Sequence, residues 1–172
     1  MNILIRGKPG CGKSTLIQKL ITLMQQKGKQ IGGISTPELR EGQRVGFEIV
    51  NLMTSERGIL AHVSQPEGPR VSQYKVNLRD LENIGVKGIK KALEKKVDFV
   101  IIDEIGKMEL VSSAFQEIVW EALELQKVLG TIGQISHPFV TKVYNRNDLK
   151  LYTLTPQTRE QVFAELRALL QL

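Results

Sequence analysis

Two stretches of this sequence carry the residue types that bind and cleave phosphates. The first has the pattern G-x-x-x-x-G-K-S of a phosphate-binding loop (P loop) and runs from Gly7 to Ser14. The glycines let backbone N–H groups surround phosphate oxygens, and the helix that follows adds partial positive charge at its N-terminus. Lys13 is then expected to reach the β- and γ-phosphates, and Ser14 to bind Mg²⁺ through its hydroxyl. The pattern predicts a nucleoside triphosphate as the ligand.

The second stretch is a mostly apolar run over residues 97–103. It ends at Asp103, and a second acid, Glu104, follows directly. A carboxylate at the carboxyl end of a buried strand is placed to hold Mg²⁺ together with Ser14, and we expect that contact to run through water. Glu104 can then orient or deprotonate the attacking water. Two adjacent acids therefore favour a hydrolytic function.

Residues of both stretches are expected to contact the nucleotide or its metal. The expected binding residues are Gly7, Lys8, Pro9, Gly10, Cys11, Gly12, Lys13, Ser14, Thr15, Val100, Ile101, Ile102, Asp103, Glu104, Ile105, Gly106 and Lys107. Cations must also offset the charge that develops at the γ-phosphate. We expect Lys107 to supply this charge, with Arg40 and Arg44 as the next candidates, and we consider Arg159 as a contact on the base side. The expected catalytic set is Lys13, Glu104, Lys107, Arg40 and Arg44.

The elements that position these residues alternate between strands and helices. A helix that ends near Gly28 follows the P loop, with an apolar face made by Leu16, Ile17, Leu20, Ile21 and Met24. Strands are predicted at residues 3–5, 31–35, 44–52, 59–63, 97–103, 131–135 and 151–154. Further helices are predicted at residues 78–96, after a capping box of Ser113 and Gln116, at 139–144, and from Thr155 and Pro156 onward. Residues 36–43 are predicted to be a turn within a hairpin-like excursion.

This pattern predicts an α/β fold with three layers around a mostly parallel sheet, formed as one domain by residues 1–172. The formal net charge is +6, and its densest lysine cluster (Lys87, Lys90, Lys91, Lys95 and Lys96) alternates with apolar residues, as on a solvated helix face. Aromatic residues make up only 5% of the chain, which argues against nucleic acid as a partner. The single cysteine and the lack of an apolar run of about 18 residues favour a cytoplasmic protein that does not bind a membrane.

These motifs resemble those of the single-domain nucleoside-triphosphatase family that is named for its thermophilic members and includes the cancer-related nucleoside-triphosphatase. The most specific stretch is D-E-I-G-K-M-E-L, residues 103–110, and residues 36–40, 44–47 and 155–160 resemble further family motifs. Ser72 and Lys75 depart from the pattern, since the family has glycines there, and Thr158 and Glu160 replace an Asn and an Asp. The resemblance implies a RecA-like P-loop fold, Mg²⁺-dependent hydrolysis of ATP, GTP, CTP and UTP to the diphosphate, broad base tolerance and a monomer.

Two other functional classes share parts of this pattern. Residues 103–106 also fit the D-x-x-G switch of regulatory GTPases, but no N-K-x-D guanine-binding motif follows a later strand. A small nucleoside or nucleotide kinase uses the same P loop and usually closes a lid with several arginines over the phosphates. Residues 139–148 are short and hold only Arg146. A short segment with one arginine argues against a kinase, which is kept as the alternative to a hydrolase.

Overall fold

The computed structural model describes all 172 residues, and ten strands form one sheet. The strands are β1 (Asn2–Arg6), β2 (Ile31–Ser35), β3 (Glu38–Glu41), β4 (Gln43–Asn51), β5 (Arg57–His62), β6 (Arg70–Val71), β7 (Tyr74–Val76), β8 (Phe99–Ile105), β9 (Val128–Ile132) and β10 (Leu149–Thr153). Their order is β10-β1-β9-β8-β2-β4-β5-β7-β6, and β3 pairs with β4. The first five strands in this order are parallel, and the rest form an antiparallel extension.

Helices cover both faces of the parallel strands. They are α1 (Lys13–Gln26), α2 (Leu78–Asp80), α3 (Lys87–Glu94), α4 (Ser113–Glu124), α5 (Pro138–Tyr144) and α6 (Arg159–Leu170). A π-helical segment, Leu81–Val86, joins α2 to α3, so the predicted helix over residues 78–96 is continuous but not uniformly α-helical. The side chain of Asn77 caps its start, as the sequence suggests. No helix combines the length and the hydropathy that crossing a bilayer requires.

Side chains of the sheet alternate between two hydrophobic clusters, one on each face. Ile3 and Ile5 of β1 pack with α1 and α6, whereas Leu4 between them packs with α4 and α5 on the other face. The same alternation separates Ile101 from Val100 and Ile102 on β8. The predicted α/β fold with three layers and a mostly parallel sheet is therefore confirmed. It also has the RecA-like feature that β9 lies between the P-loop strand β1 and the acid-bearing strand β8.

The structure corrects several predicted boundaries of strands. Residues 36–43 are not all turn, because β3 forms a hairpin with β4 there. The predicted strand at residues 131–135 begins three residues earlier, since Val128 to Ile132 pair with β8 and β1. The strands β6 and β7 lie where no strand was predicted, and Ser72 in the turn between them holds φ = 56° without being glycine.

The starts of two helices also differ from the prediction. At each start, side-chain hydroxyl groups form hydrogen bonds with the backbone that the sequence pattern did not indicate. Ser112, not Ser113, caps α4 by accepting the N–H of Phe115, and Gln116 donates to the carbonyl of Leu110. The hydroxyls of Thr155 and Thr158 bond each other and nearby backbone groups in a turn, so α6 begins only at Arg159. The expected solvated face of the lysine cluster is confirmed, since all five lysines are exposed.

Candidate active site

The P loop connects the end of β1 to the start of α1 and depends on glycine at two positions. A Cβ on Gly7 would lie 2.6 Å from both Cys11 Sγ and the carbonyl oxygen of Leu154, which leaves no room for a side chain. Gly12 directly precedes α1 with φ = 98°, a conformation that other residues resist. No side chain caps this helix, and its first turn carries no acid. The N–H groups at the start of α1 are therefore available to an anion.

Lys13 lies inside this loop. Its Nζ donates to the carbonyl oxygen of Gly7 at 2.9 Å and to that of Lys8 at 3.2 Å. The ammonium group is thus held at the loop, where its charge opposes the rise in pKa that burial causes in the carboxyl groups of Asp103 and Glu104. The structure places the predicted phosphate lysine next to the predicted acids.

Ser14 and Asp103 meet across the two halves of the site. The Ser14 hydroxyl donates to Asp103 Oδ1 at 3.2 Å, and Thr131 on β9 donates to the same oxygen at 2.7 Å. Asp103 Oδ2 accepts no hydrogen bond from the protein. The side-chain oxygens of Ser14 and Asp103 are thus close enough to bind one cation.

Burial is the main influence on both acids at the end of β8. It raises the pKa of Asp103, while the hydrogen bonds from Thr131 and Ser14 and the charge of Lys13 lower it. It also raises the pKa of Glu104, which the nearby charge of Asp103 raises further and Lys13 lowers. A carboxylate whose pKa is raised toward neutrality accepts a proton more readily, as a general base must.

The hydrophobic residues of β8 on either side of the two acids support the site but do not line it. Val100, Ile101, Ile102 and Ile105 have no exposed surface and belong to the core. This corrects the expectation that all of residues 100–107 contact the nucleotide, because hydrophobic side chains on both faces of β8 are covered by helices. Their role is to hold Asp103 and Glu104 at the carboxyl end of this central strand.

An open polar cleft of about 440 Å³ begins at Ser14 and Asp103. It extends along α1 past Gln18 and Thr22, and residues next to the β2–β3 connection form its opposite wall. None of its lining residues is hydrophobic. The cleft leaves space for water and polar groups beside the predicted metal ligands. Its lining residues are Ser14, Thr15, Gln18, Lys19, Thr22, Ser35, Pro37 and Asp103.

The structure distinguishes the three cations that the sequence proposes for the γ-phosphate. Arg40 and Arg44 both pair with Glu38, at 2.8 and 3.1 Å. Arg44 also donates to the Tyr74 hydroxyl at 3.0 Å. Neither arginine donates a hydrogen bond to the P loop or to Asp103. Lys107 is exposed in the turn after β8 and forms neither an ion pair nor a hydrogen bond through its side chain.

Arg159, at the start of α6, lies against the P loop. Its Cδ and Nη1 atoms are each 3.6 Å from the place that a Cβ on Gly12 would take. The side chain is exposed and has no carboxylate partner. The structure therefore brings this arginine to the loop as a cation that is free to contact a ligand.

Three polar residues that support the acids were not recognised from the sequence. Thr131 holds Asp103, as described, and Thr36 donates both its N–H and its hydroxyl to the carbonyl oxygen of Asp103, at 2.7 and 2.9 Å. Glu109 is buried behind them. Thr36 and Glu109 lie in stretches that resemble family motifs, which was the available signal. No sequence signal pointed to Thr131, because its partner Asp103 is 28 residues away.

Comparison with known proteins identifies the family of this chain. A family model described as NTPase matches residues 2–167. The chain belongs to this NTPase family. It is a nucleoside-triphosphatase, because it belongs to this family and its similar relatives carry that name. The nucleoside-triphosphatase THEP1 of Thermotoga maritima is 46% identical over 99% of this chain and 96% of its own length. The corresponding protein of Methanocaldococcus jannaschii is 41% identical over 96% and 95%.

Two solved structures share the fold over nearly the whole chain. THEP1 from Aquifex aeolicus has a TM-score of 0.86 and 29% identity, with 100% of both chains covered. The solution structure of a human cancer-related nucleoside triphosphatase has a TM-score of 0.81 and 32% identity, covering 99% of this chain and 97% of that one. The resemblance found in the NTPase motifs of residues 103–110 is thereby confirmed.

Proposed function

We propose that this NTPase hydrolyses ATP, GTP, CTP and UTP to the diphosphate and phosphate in a Mg²⁺-dependent reaction. The observation that carries the proposal is the approach of Ser14 to Asp103, 3.2 Å apart at the P loop, with Glu104 next along the strand. No group of three or more His, Cys, Asp or Glu side chains is arranged as a metal cage. A hydroxyl and a carboxylate that share a cation with phosphates and water match the way proteins bind Mg²⁺.

Each residue has a distinct part in the reaction. The N–H groups at the start of α1 bind phosphate oxygens, and Lys13 exchanges its loop carbonyls for the β- and γ-phosphates. Ser14 and Asp103 would hold Mg²⁺, which when bound neutralises charge on the phosphate chain. Glu104 takes a proton from water as the water oxygen bonds to the γ-phosphorus. The bond to the β–γ bridging oxygen breaks, and the nucleoside diphosphate leaves.

Broad base tolerance is part of the proposal. The residues assembled at the site contact phosphates, metal and water, and an arginine such as Arg159 can contact a phosphate, a ribose or the face of any base. We also propose that the chain acts as a monomer, because every residue in this scheme comes from one chain.

The kinase alternative needs cations that close over the phosphates, and the structure gives no support for such a lid. Arg146 forms ion pairs with Asp148 at 2.8 Å and with Glu124. Its side chain is only 11% exposed. It also lies over the Trp120 ring. The guanidinium is therefore bound within the fold.

Phosphate release from each of the four nucleotides, with Mg²⁺ and without an acceptor, tests the proposal. Glu104→Gln should lower kcat by about 10²- to 10⁴-fold, the usual contribution of a general base, while nucleotide binding persists. Excess EDTA should abolish turnover. Conversion of the triphosphate to the diphosphate that occurs only after a nucleoside or a monophosphate is added, with the phosphoryl group on that acceptor and no free phosphate formed, would favour the kinase instead.

A further inference from the structure

Glu109 is a buried carboxyl group that the scheme above does not use. It has 3% exposed surface and lies in the short 3₁₀ turn after β8. Its Oε2 accepts the backbone N–H of Gly106 at 3.1 Å, and its Oε1 lies 3.2 Å from the hydroxyl of Thr36. A buried carboxyl group is costly unless its hydrogen bonds are made, so both contacts matter to the fold.

Both partners of Glu109 are attached to the two acids of the site. Gly106 follows Glu104 by two residues, and a Cβ on Gly106 would lie 2.9 Å from Glu109 Oε2 and 3.0 Å from Glu104 Oε2. The two glutamates thus flank the same backbone position. On the other side, the Thr36 hydroxyl bonds the carbonyl oxygen of Asp103. Glu109 therefore links the turn beside Glu104 to the backbone of the predicted metal ligand.

We propose that Glu109 is a positioning residue for hydrolysis. It holds the Gly106 turn and Thr36 together, and thereby fixes the carboxylate of Glu104 relative to Asp103. This inference rests on the proposed function, because the position of Glu104 matters to the rate only if Glu104 acts on the attacking water. A general base that is displaced by about 1 Å can lose up to about 100-fold in rate.

The hydrogen bonds also indicate which groups donate. Thr36 has one hydroxyl proton, and the carbonyl oxygen of Asp103 can only accept. The hydroxyl lies 2.9 Å from the carbonyl oxygen of Asp103 and 3.2 Å from Glu109 Oε1. An ionised Glu109 accepts the Thr36 proton, whereas a neutral Glu109 donates from Oε1 to Thr36 while Thr36 donates to Asp103. Burial, followed by the charges of Glu104 and Asp103, raises the pKa of Glu109 to about 8, although hydrogen bonds from the backbone and from the Thr36 hydroxyl act in the opposite direction. These two acids on β8 are the charged groups that act on it, and Thr36 adds none.

A glutamine can reproduce this arrangement, whereas a leucine of similar size cannot. The amide oxygen of a glutamine accepts from Gly106, and its NH₂ group donates to Thr36. Glu109→Leu leaves the Gly106 N–H without its acceptor and Thr36 without its second partner. The pair of variants therefore separates the hydrogen bonds from the volume of the side chain.

The experiment measures kcat, KM and nucleotide Kd for the full chain with MgATP. Glu109→Leu should lower kcat about 10- to 100-fold, with KM and Kd within about threefold, because the P loop is untouched. Glu109→Gln should recover most of kcat. Should Glu109→Leu turn over like wild type, or should a folded Glu109→Gln be as impaired as Glu109→Leu, the positioning role is wrong.

A second pair of variants covers the case in which Glu109→Leu fails to fold. Thr36→Val removes the hydroxyl and Thr36→Ser keeps it, so only the first should lower kcat by a similar factor. Unchanged turnover in Thr36→Val would overturn the inference. The proposed function fails separately, if wild type releases no phosphate or if Glu104→Gln retains full activity.

Discussion

Thr131 Oγ1 donates a 2.7 Å hydrogen bond to Asp103 Oδ1, from the strand that lies between the two strands of the site. The donor is fully buried, so water cannot replace it. The bond orients the carboxylate so that Oδ1 faces Ser14. The middle strand therefore takes part in the site, although it adds no residue to the P loop or to the acid pair.

Thr131→Val is expected to weaken the response to Mg²⁺. It removes a partner that orients a metal-binding carboxylate, a change that typically costs about 10- to 100-fold in metal affinity or activity. The Mg²⁺ concentration for half-maximal phosphate release should rise accordingly. Thr131→Ser, which keeps the hydroxyl, serves as the control. An unchanged Mg²⁺ dependence in the valine variant would show that the bond is dispensable.

Lys107 and Arg44 should respond differently to truncation. Lys107 is free in the turn next to the acids, so Lys107→Ala should lower kcat with little change in the melting temperature. A missing cation at the γ-phosphate can cost about 10³- to 10⁵-fold. Arg44 is held by Glu38 and Tyr74, so Arg44→Ala should lower the free energy of unfolding by about 1 kcal/mol and leave kcat near wild type. The reverse pattern would make Arg44 the active cation.

Arg159→Ala is expected to raise KM for all four nucleotides about tenfold, as the loss of one charge-assisted contact predicts. The effect should weaken at high salt, because the side chain is exposed. Arg167→Ala, on the same helix, is the matched control and should leave KM unchanged. A change confined to one base would instead show that Arg159 reads the base.

The stability of the fold should depend on pH through Glu109. In the folded protein we expect the carboxyl group of Glu109 to keep its proton up to about pH 8. In the unfolded chain the same group loses its proton near the ordinary glutamate pKa of 4.5. The folded state binds more protons between these values, so the free energy of unfolding falls as pH rises from about 4.5 to 8. Glu109→Gln removes this contribution.

Urea denaturation of both proteins at several pH values measures the effect. The variant should gain stability relative to wild type as pH rises from 5 to 8, by more than about 1.4 kcal/mol, which corresponds to one pKa unit. A difference that stays constant over this interval would mean that Glu109 is ionised in the fold.

The phosphate-binding half of the site follows directly from local sequence. The pattern from Gly7 to Ser14 and the apolar face of α1 are set by neighbouring residues, and the buried set of that helix is the predicted one. The acid pair is equally clear, since an apolar run stops at Asp103, although β8 begins two residues later than predicted and continues to Ile105. Local spacing and periodicity carry enough information for these elements.

The rest of the site depends on contacts between distant segments. Thr131 binds a residue 28 positions away, and Thr36 binds Glu109 across 73 positions, which no local pattern encodes. The arginines of the β3–β4 hairpin were candidates because their charge was visible in the sequence. Their common partner, Glu38, was not recognised as competing for them.

The insertion of β9 between β1 and β8 has a consequence for the nascent chain. Ser14 lies 89 residues from Asp103, and the strand that separates their elements ends only at Ile132. A ribosome releases residues from the N-terminus onward. The P loop and the acid pair are therefore both synthesised before the strand that must sit between them. Enzymatic activity should first appear during translation only after Ile132 has left the exit tunnel.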